Sequence, residues 1–305
     1  MAIRDLPREE LVLPGTPACH GCPLMIALRV ALKALGRETI LVIPACCAGV
    51  CEGLYPAASF NVPVLNIAFE ASAAAASGVV AALKRQRKTD TNVVVWAGDG
   101  GTYDIGLQAL SGAVERGTDF LYICYNNEMY SNTGIQRSGA TPFGAWTTTT
   151  WEGKTEHRKD LPGIMKAHDI PYVATACPSY PEDLFRKVQK AKAIEGPKYI
   201  EILAPCPTGW RFPVDRTMEV GRLAVQTGSW ALYEYQGDEL SFNGRSKQLL
   251  ERKMEPKPVE DYLEVQGRFS HVFKPKRDEE RLAEIRRHLE RSWDRFRKQV
   301  ECSAV

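Results

Sequence analysis

Through its first two thirds the chain alternates short apolar, β-rich runs with amphipathic helical patterns, and no other feature restricts its fold as much. Strands are expected over residues 40–43, 64–68, 93–96, 121–125, 172–175 and 199–203, with helices over 24–35, 72–85, 105–116 and 181–194. Continuous apolar runs indicate strands buried on both faces, and β–α alternation implies a mostly parallel sheet with helices on both sides. The expected class is therefore α/β, and ligands in such sheets bind outside the carboxyl ends of the strands.

Composition narrows the options further. Hydrophobic residues make up 44% and charged residues 25% of the 305 positions, which excludes a disordered or collagen-like chain. Lys+Arg 39 against Asp+Glu 37 leaves a net charge of +2, with no basic excess to draw the chain to nucleic acid. Apolar runs fall short of the roughly 20 residues that cross a bilayer, and residues 1–10 show no signal-peptide core. A cytoplasmic protein without membrane contact is expected.

The pattern changes after Trp210. Residues 236–273 are polar and punctuated by Gly and Pro, and 281–300 read as a charged helix. Its apolar positions Leu282, Ile285, Leu289, Trp293 and Phe296 recur at steps of three and four and form one stripe. Two parts are expected: a cofactor-bearing domain over 1–235, and an arm over 236–305 that docks on the core or on another subunit. Residues 142–160, with Thr147 to Thr150 and Thr155, show neither period and read as a loop suited to cover a site.

The strand at 93–96 runs into Gly98-Asp99-Gly100-Gly101 and a helix, and the next strand ends in Asn126-Asn127. A diphosphate bound through a divalent cation needs hard oxygen ligands, such as a carboxylate, an amide oxygen and a backbone carbonyl. Parallel strands bring Asp99 and Asn127 to one sheet edge. The glycines let a phosphate approach the backbone, and the following helix N-terminus offers N–H donors. An Asp-Gly turn alone is common; its pairing with Asn-Asn after the next strand makes the clamp specific.

Nine cysteines, an odd number in an intracellular type of sequence, argue for metal binding over a disulfide framework. Cys19-His20-Gly21-Cys22 has the spacing with which two thiolates grip one centre. Further candidates are Cys46, Cys47 and Cys51, and Cys206 between two prolines. Four such thiolates suit either zinc or an iron–sulfur cluster. Cys124 and Cys177 read as small buried hydrophobes and Cys302 as a surface thiol.

The block at 98–106, the Asn-Asn-Glu-Met-Tyr-Ser-Asn-Thr-Gly-Ile-Gln block ending at Gln136, and Ala-Pro-Cys-Pro-Thr-Gly-Trp at 204–210 carry a family resemblance. Together with Cys19-x-Gly-Cys22 they resemble the beta, thiamin diphosphate-binding subunit of 2-oxoacid:ferredoxin oxidoreductases, most closely the pyruvate type, over roughly residues 15–235. Oxalate oxidoreductase shares these motifs. The resemblance implies oxidative decarboxylation of a small 2-oxoacid, with electrons passed one at a time to ferredoxin. It implies that Gly98, Asp99, Gly100 and Gly101 bind the cofactor, that Mg2+ is held by Asp99, Asn127 and the Met129 carbonyl, and that Asn132 and Thr133 lie near the thiazolium and the substrate as catalytic residues. It further implies a [4Fe-4S] cluster on Cys19, Cys22, Cys47 and Cys206. Pro23 and the Cys46-Cys47 pair depart from the usual pattern, so Cys46 competes with Cys47 as third ligand. Partners implied are an alpha-type subunit supplying the pyrimidine-activating glutamate, gamma and ferredoxin-like delta subunits, and ferredoxin; coenzyme A is left open as a co-substrate.

A non-redox thiamin decarboxylase or synthase with a structural zinc site built from four cysteines is the alternative. Glu70 reads as a first-turn helix residue rather than an activating carboxylate. The five histidines show no ligand pairing, although His20 is placed near the cysteines; Lys154 and Arg211 are candidates to face an anion.

Overall fold

The computed structural model describes residues 3–303. All six expected strands are present: β1 Thr39–Pro44, β2 Val64–Ile67, β3 Asn92–Gly98, β4 Leu121–Asn126, β5 Tyr172–Ala176 and β6 Lys198–Leu203. They run parallel in the order β2-β1-β3-β4-β6-β5. Two strands that the sequence pattern did not reveal, β7 Tyr233–Gln236 and β8 Glu239–Phe242, extend the sheet antiparallel beyond β5. The expected boundary at 235/236 therefore falls inside a hairpin of the main sheet.

Side chains alternate across the sheet as a pleat requires. Val94 and Trp96 of β3, with Leu121, Ile123 and Tyr125 of β4, enter one core layer; Val93, Val95, Ala97, Tyr122 and Cys124 enter the other. The first layer is closed by α1 Pro23–Leu35, and α2 Cys47–Glu52 follows β1. The second is closed by α3 Ser72–Arg85, α4 Leu107–Glu115 and α5 Leu161–Lys166, while α6 Pro181–Lys192 packs beside α1 on the first. Pro23 in the first turn and Gly36 at φ 84° delimit α1, the usual asymmetry of a helix start and stop. The helix expected from residue 105 is preceded by a π-helical turn, Gly100–Ile105, that begins directly after Asp99. Such a turn widens the backbone at functional sites.

The remaining helices are α7 Pro207–Trp210, α8 Thr217–Gln226, α9 Gly244–Leu250, α10 Val259–Glu264, α11 Ser270–Phe273 and α12 Glu279–Ser303. The α12 stripe packs on this chain's own core: Leu282 is fully buried, Trp293 donates its indole N–H to the Gly228 carbonyl at 3.0 Å, and Phe296 packs against Tyr233 and Phe242. Residues 142–160 pack beneath α12, with the His157 and His288 rings stacked at 3.8 Å and Arg281 bonded to the Glu152 carbonyl. Among the described residues no helix is long and apolar enough to cross a membrane. The Cys302 side chain lies outside the described residues.

Candidate active site

The strand order reverses between β1 and β3, because β1 is flanked outward by β2 and β3 inward by β4. A crevice at the carboxyl ends of such a pair is where open parallel sheets bind ligands. Here β1 delivers Cys46 and Cys47, β3 delivers Gly98 to Gly101, and β4 delivers Asn126 and the turn beyond it. These segments line one cavity of about 460 Å³ together with Phe69, Tyr125 and Tyr130. Asp99, Asn127, Met129, Asn132 and Thr133 all reach its wall, so residues far apart in sequence are gathered at one place. The glycines shape it: a Cβ on Gly100 would run into the Tyr130 ring, and one on Gly209 into the Met129 sulfur.

Asp99 is almost fully buried, and burial pushes its carboxyl up to about 8. Two donors oppose that shift: Ser138 Oγ donates to Oδ2 at 2.5 Å and the Asn127 backbone N–H to Oδ1 at 3.2 Å. One amide atom of Asn127 stands 2.7 Å from the Met129 carbonyl oxygen, 3.0 Å from Asp99 Oδ1 and 3.2 Å from Ser131 Oγ. As a nitrogen it donates to these oxygens. As an oxygen it completes a trio of hard donors, and its distances of 2.7 and 3.0 Å to the other two bracket the spacing of adjacent corners in a magnesium octahedron, about 2.9 Å for ligands at 2.0–2.1 Å. The donor set fits Mg2+.

The turn is held from behind. Asn126 Nδ2 donates to Glu201 Oε1 at 2.7 Å, and its Oδ1 accepts the Glu128 N–H at 2.9 Å. Glu128 takes a left-handed φ of 63°. Thr141 Oγ1 donates to the Glu128 carbonyl at 2.6 Å, and Trp210 Nε1 to the Asn127 carbonyl at 2.8 Å. Trp210 belongs to the Cys206 loop, so cysteine motif and asparagine turn are bonded directly. Glu201, Ser138 and Arg268 were not singled out from the sequence, and Trp210 was named there only as the end of the 204–210 block, because their roles appear only when β6 and the irregular loops are placed beside β4.

The cysteines converge beside this cavity. Burial raises the Cys47 thiol to about 12, reinforced by Cys206, Cys46, Cys22 and Cys19. Cys46 faces the Tyr125 hydroxyl and the amides of Gly49, Ala48 and Gly98 instead. Cys206 Sγ accepts the Gly209 N–H at 3.3 Å and faces Ser131 Oγ at 3.9 Å. The Cys22 thiol is lowered to about 7 by its hydrogen bond with Cys51, helped by the amides of Met25 and Leu24. Among the described residues no three His, Cys, Asp or Glu side chains are close enough to grip one ion. Four gathered cysteines are a donor set that suits zinc or an iron–sulfur cluster.

The other residues weighed from the sequence do not line this cavity. Lys154 is buried in its own loop, where Nζ donates to the Thr141 carbonyl at 2.7 Å, and burial lowers it to about 8. The Arg211 guanidinium lies 3.7 Å over the Trp146 ring. Glu70 and His20 are exposed. Residues 142–160 do not line this cavity, so the cover expected of them is not over the site.

A family model described as thiamine pyrophosphate enzyme, C-terminal TPP binding domain, matches residues 48–202. The chain is 48% identical over 306 residues to ketoisovalerate oxidoreductase subunit VorB of Pyrococcus abyssi, covering 97% of this chain and 95% of that one. It is 48% identical over 290 residues to pyruvate synthase subunit PorB of Methanothermobacter thermautotrophicus, covering 93% and 96%. A solved 2-oxoglutarate:ferredoxin oxidoreductase from Magnetococcus marinus shares the fold, with a TM-score of 0.58 at 20% identity over 72% of this chain and 82% of that one. With a thiamin-binding fold, a cation-type oxygen trio and near full-length similarity to such subunits, the chain belongs to the family of beta, thiamin diphosphate-binding subunits of 2-oxoacid:ferredoxin oxidoreductases.

Proposed function

We propose that this chain holds thiamin diphosphate, Mg2+ and one [4Fe-4S] cluster in a complex that oxidatively decarboxylates pyruvate or a similarly small 2-oxoacid and delivers electrons to ferredoxin. The observation that carries the reading is the single cavity shared by Asp99, the asparagine turn and Cys47. Thiamin diphosphate supplies the electron sink for decarboxylation, and the protein's task is to bind, orient and drain it.

Asp99 Oδ1, the Asn127 amide oxygen and the Met129 carbonyl would hold the cation that neutralises the diphosphate. Gly98, Gly100 and Gly101 admit the phosphates to the backbone. Asn132 and Thr133, exposed on the cavity rim, are placed to contact the reacting end of cofactor and substrate. Thr133 Oγ1 donates to Gln136 Oε1 at 2.6 Å, which fixes its hydroxyl orientation. Cys19, Cys22, Cys47 and Cys206 would ligate the cluster, with Cys47 chosen over Cys46 because its surroundings include the other three. Electrons would then leave by way of Cys47, which lines the cavity, without a long path through protein. An alpha-type partner would supply the pyrimidine half, gamma and ferredoxin-like delta partners would act downstream, and coenzyme A would accept the acyl group where pyruvate is used.

The test is anaerobic purification of the assembled complex, with thiamin, iron and zinc quantified. Ferredoxin reduction is then assayed with pyruvate, 2-oxoisovalerate and oxalate, with and without coenzyme A. Four irons per chain at this site and coenzyme A-dependent turnover of pyruvate support the proposal. Stoichiometric zinc without iron, or turnover of none of the three acids, refutes it.

A further inference from the structure

We propose that Arg268 is a positioning residue for the cation turn Asn127–Glu128–Met129, an inference that rests on reading this turn as the Mg2+ site. Arg268 lies in the C-terminal extension, in the turn Gly267–Phe269, yet its side chain is completely buried. Nη2 donates to Glu128 Oε2 at 2.5 Å, and Nε donates to Gln266 Oε1 at 2.9 Å. The guanidinium also lies 3.7 Å over the Trp210 ring. That same indole donates to the Asn127 carbonyl. Arg268 therefore grips the turn twice, through the Glu128 carboxylate and through Trp210.

Glu128 sits between two of the three proposed oxygen donors. Its left-handed backbone is strained in a residue with a Cβ. A buried ion pair adds little net stability over an apolar pair, but losing one partner is expensive. Stability alone thus gives a poor reason for burying two charges behind a strained turn. Conformational specificity gives a better one: with Glu128 locked, the Met129 carbonyl and the Asp99 carboxylate both face the Asn127 amide. Arg158 bonds the other Glu128 oxygen at 3.2 Å but is itself about a third exposed, so it is the looser of the two anchors. The main chain reinforces the link: the Trp146 N–H donates to the Arg268 carbonyl and the Gly267 N–H to the Arg211 carbonyl.

The experiment measures thiamin diphosphate affinity by calorimetry in the assembled complex, with Mg2+, and cation geometry by the EPR of Mn2+ in its place. Arg268→Lys keeps the buried charge pair but loses the planar fork and stack. The double variant Glu128→Met, Arg268→Met removes both charges, so no unpaired one is left buried. Each is expected to fold, by its circular dichroism and melting curve, and to bind the cofactor at least tenfold more weakly with an altered Mn2+ spectrum. Wild-type affinity and spectrum in either folded variant overturns the role of Arg268. Asp99→Asn is measured alongside: if it also binds like wild type, the cation-turn reading itself has failed, whereas loss in Asp99→Asn alone confines the failure to Arg268.

Discussion

Ser138 Oγ donates to Asp99 Oδ2 across 2.5 Å, so a loop hydroxyl occupies one carboxylate oxygen while the other faces the Asn127–Met129 turn. The bond favours the ionised carboxylate against burial, which pushes the other way. Ser138→Ala should cost about 1–3 kcal/mol of stability, the range for leaving a buried acceptor unsatisfied. It should also weaken Mg2+-dependent thiamin binding severalfold. Unchanged affinity in calorimetry would mean that Asp99 is held by its other contacts alone.

Asp99→Ala is expected to abolish cofactor retention, since few charged ligands offset a diphosphate. Asp99→Asn should do the same while leaving the cofactor-free chain at least as stable, because it removes a carboxylate whose charged form burial disfavours. Thiamin content near wild type in either variant contradicts the assignment.

Cys47→Ala should lose iron and electron transfer while thiamin still binds. Cys46→Ala should keep its iron, because Cys46 faces Tyr125 and backbone amides. Cys51→Ala should keep iron as well, since Cys51 is not among the four proposed ligands. Iron depletion in Cys46→Ala alone would move the ligand register by one residue.

The contrast between these sites shows what one dimension of sequence carries. Strands β1 and β3 to β6 announce themselves because both faces are buried and their runs are largely apolar, edge strand β2 by its short apolar run although it is partly exposed, and Asp99 and Asn127 stand out because they follow such runs. Strands β7 and β8 do not: each is four residues long, and Glu234 and Gln236 interrupt the apolar pattern. Glu234 is satisfied only in three dimensions, by Tyr172 at 2.6 Å and Lys190 at 2.9 Å. Arg268 was illegible for the same reason, since a basic residue in a polar stretch reads as surface until Glu128 is placed beside it. The stripe on α12 was visible, but its docking partner was not, because an apolar face carries no address.

Acid should loosen α12. Burial, with His157, Arg158, Arg291 and Arg295 nearby, lowers His288 to about 4 from an ordinary value near 6.5. Glu284 bonds His157 at 3.2 Å and is the facing carboxylate. The unfolded or undocked state then binds more protons between these values, so the stabilisation is complete above about 6.5 and is lost as pH falls toward 4. Hydrogen exchange of α12 amides, corrected for intrinsic rates, should accelerate between pH 7 and 4.5, and His288→Phe should flatten the response. Equal protection across that interval contradicts it.

Catalysis should require a second polypeptide. Thiamin chemistry needs a carboxylate bonded to the pyrimidine ring in addition to the diphosphate clamp. Among the described residues lining the cavity the only acidic side chain is Asp99, and it faces the cation turn. Glu70 is exposed in the turn before α3. The cavity is bordered by Val50, 51% exposed, and the segment after α2 leaves Leu54 and Tyr55 exposed at 85% and 94%, apolar surface of the kind a partner covers. The purified single chain should therefore bind thiamin diphosphate weakly and decarboxylate no 2-oxoacid, and adding an alpha-type subunit should restore turnover and tighten binding. Turnover by the single chain that Glu70→Gln eliminates would place the activating carboxylate on this polypeptide instead.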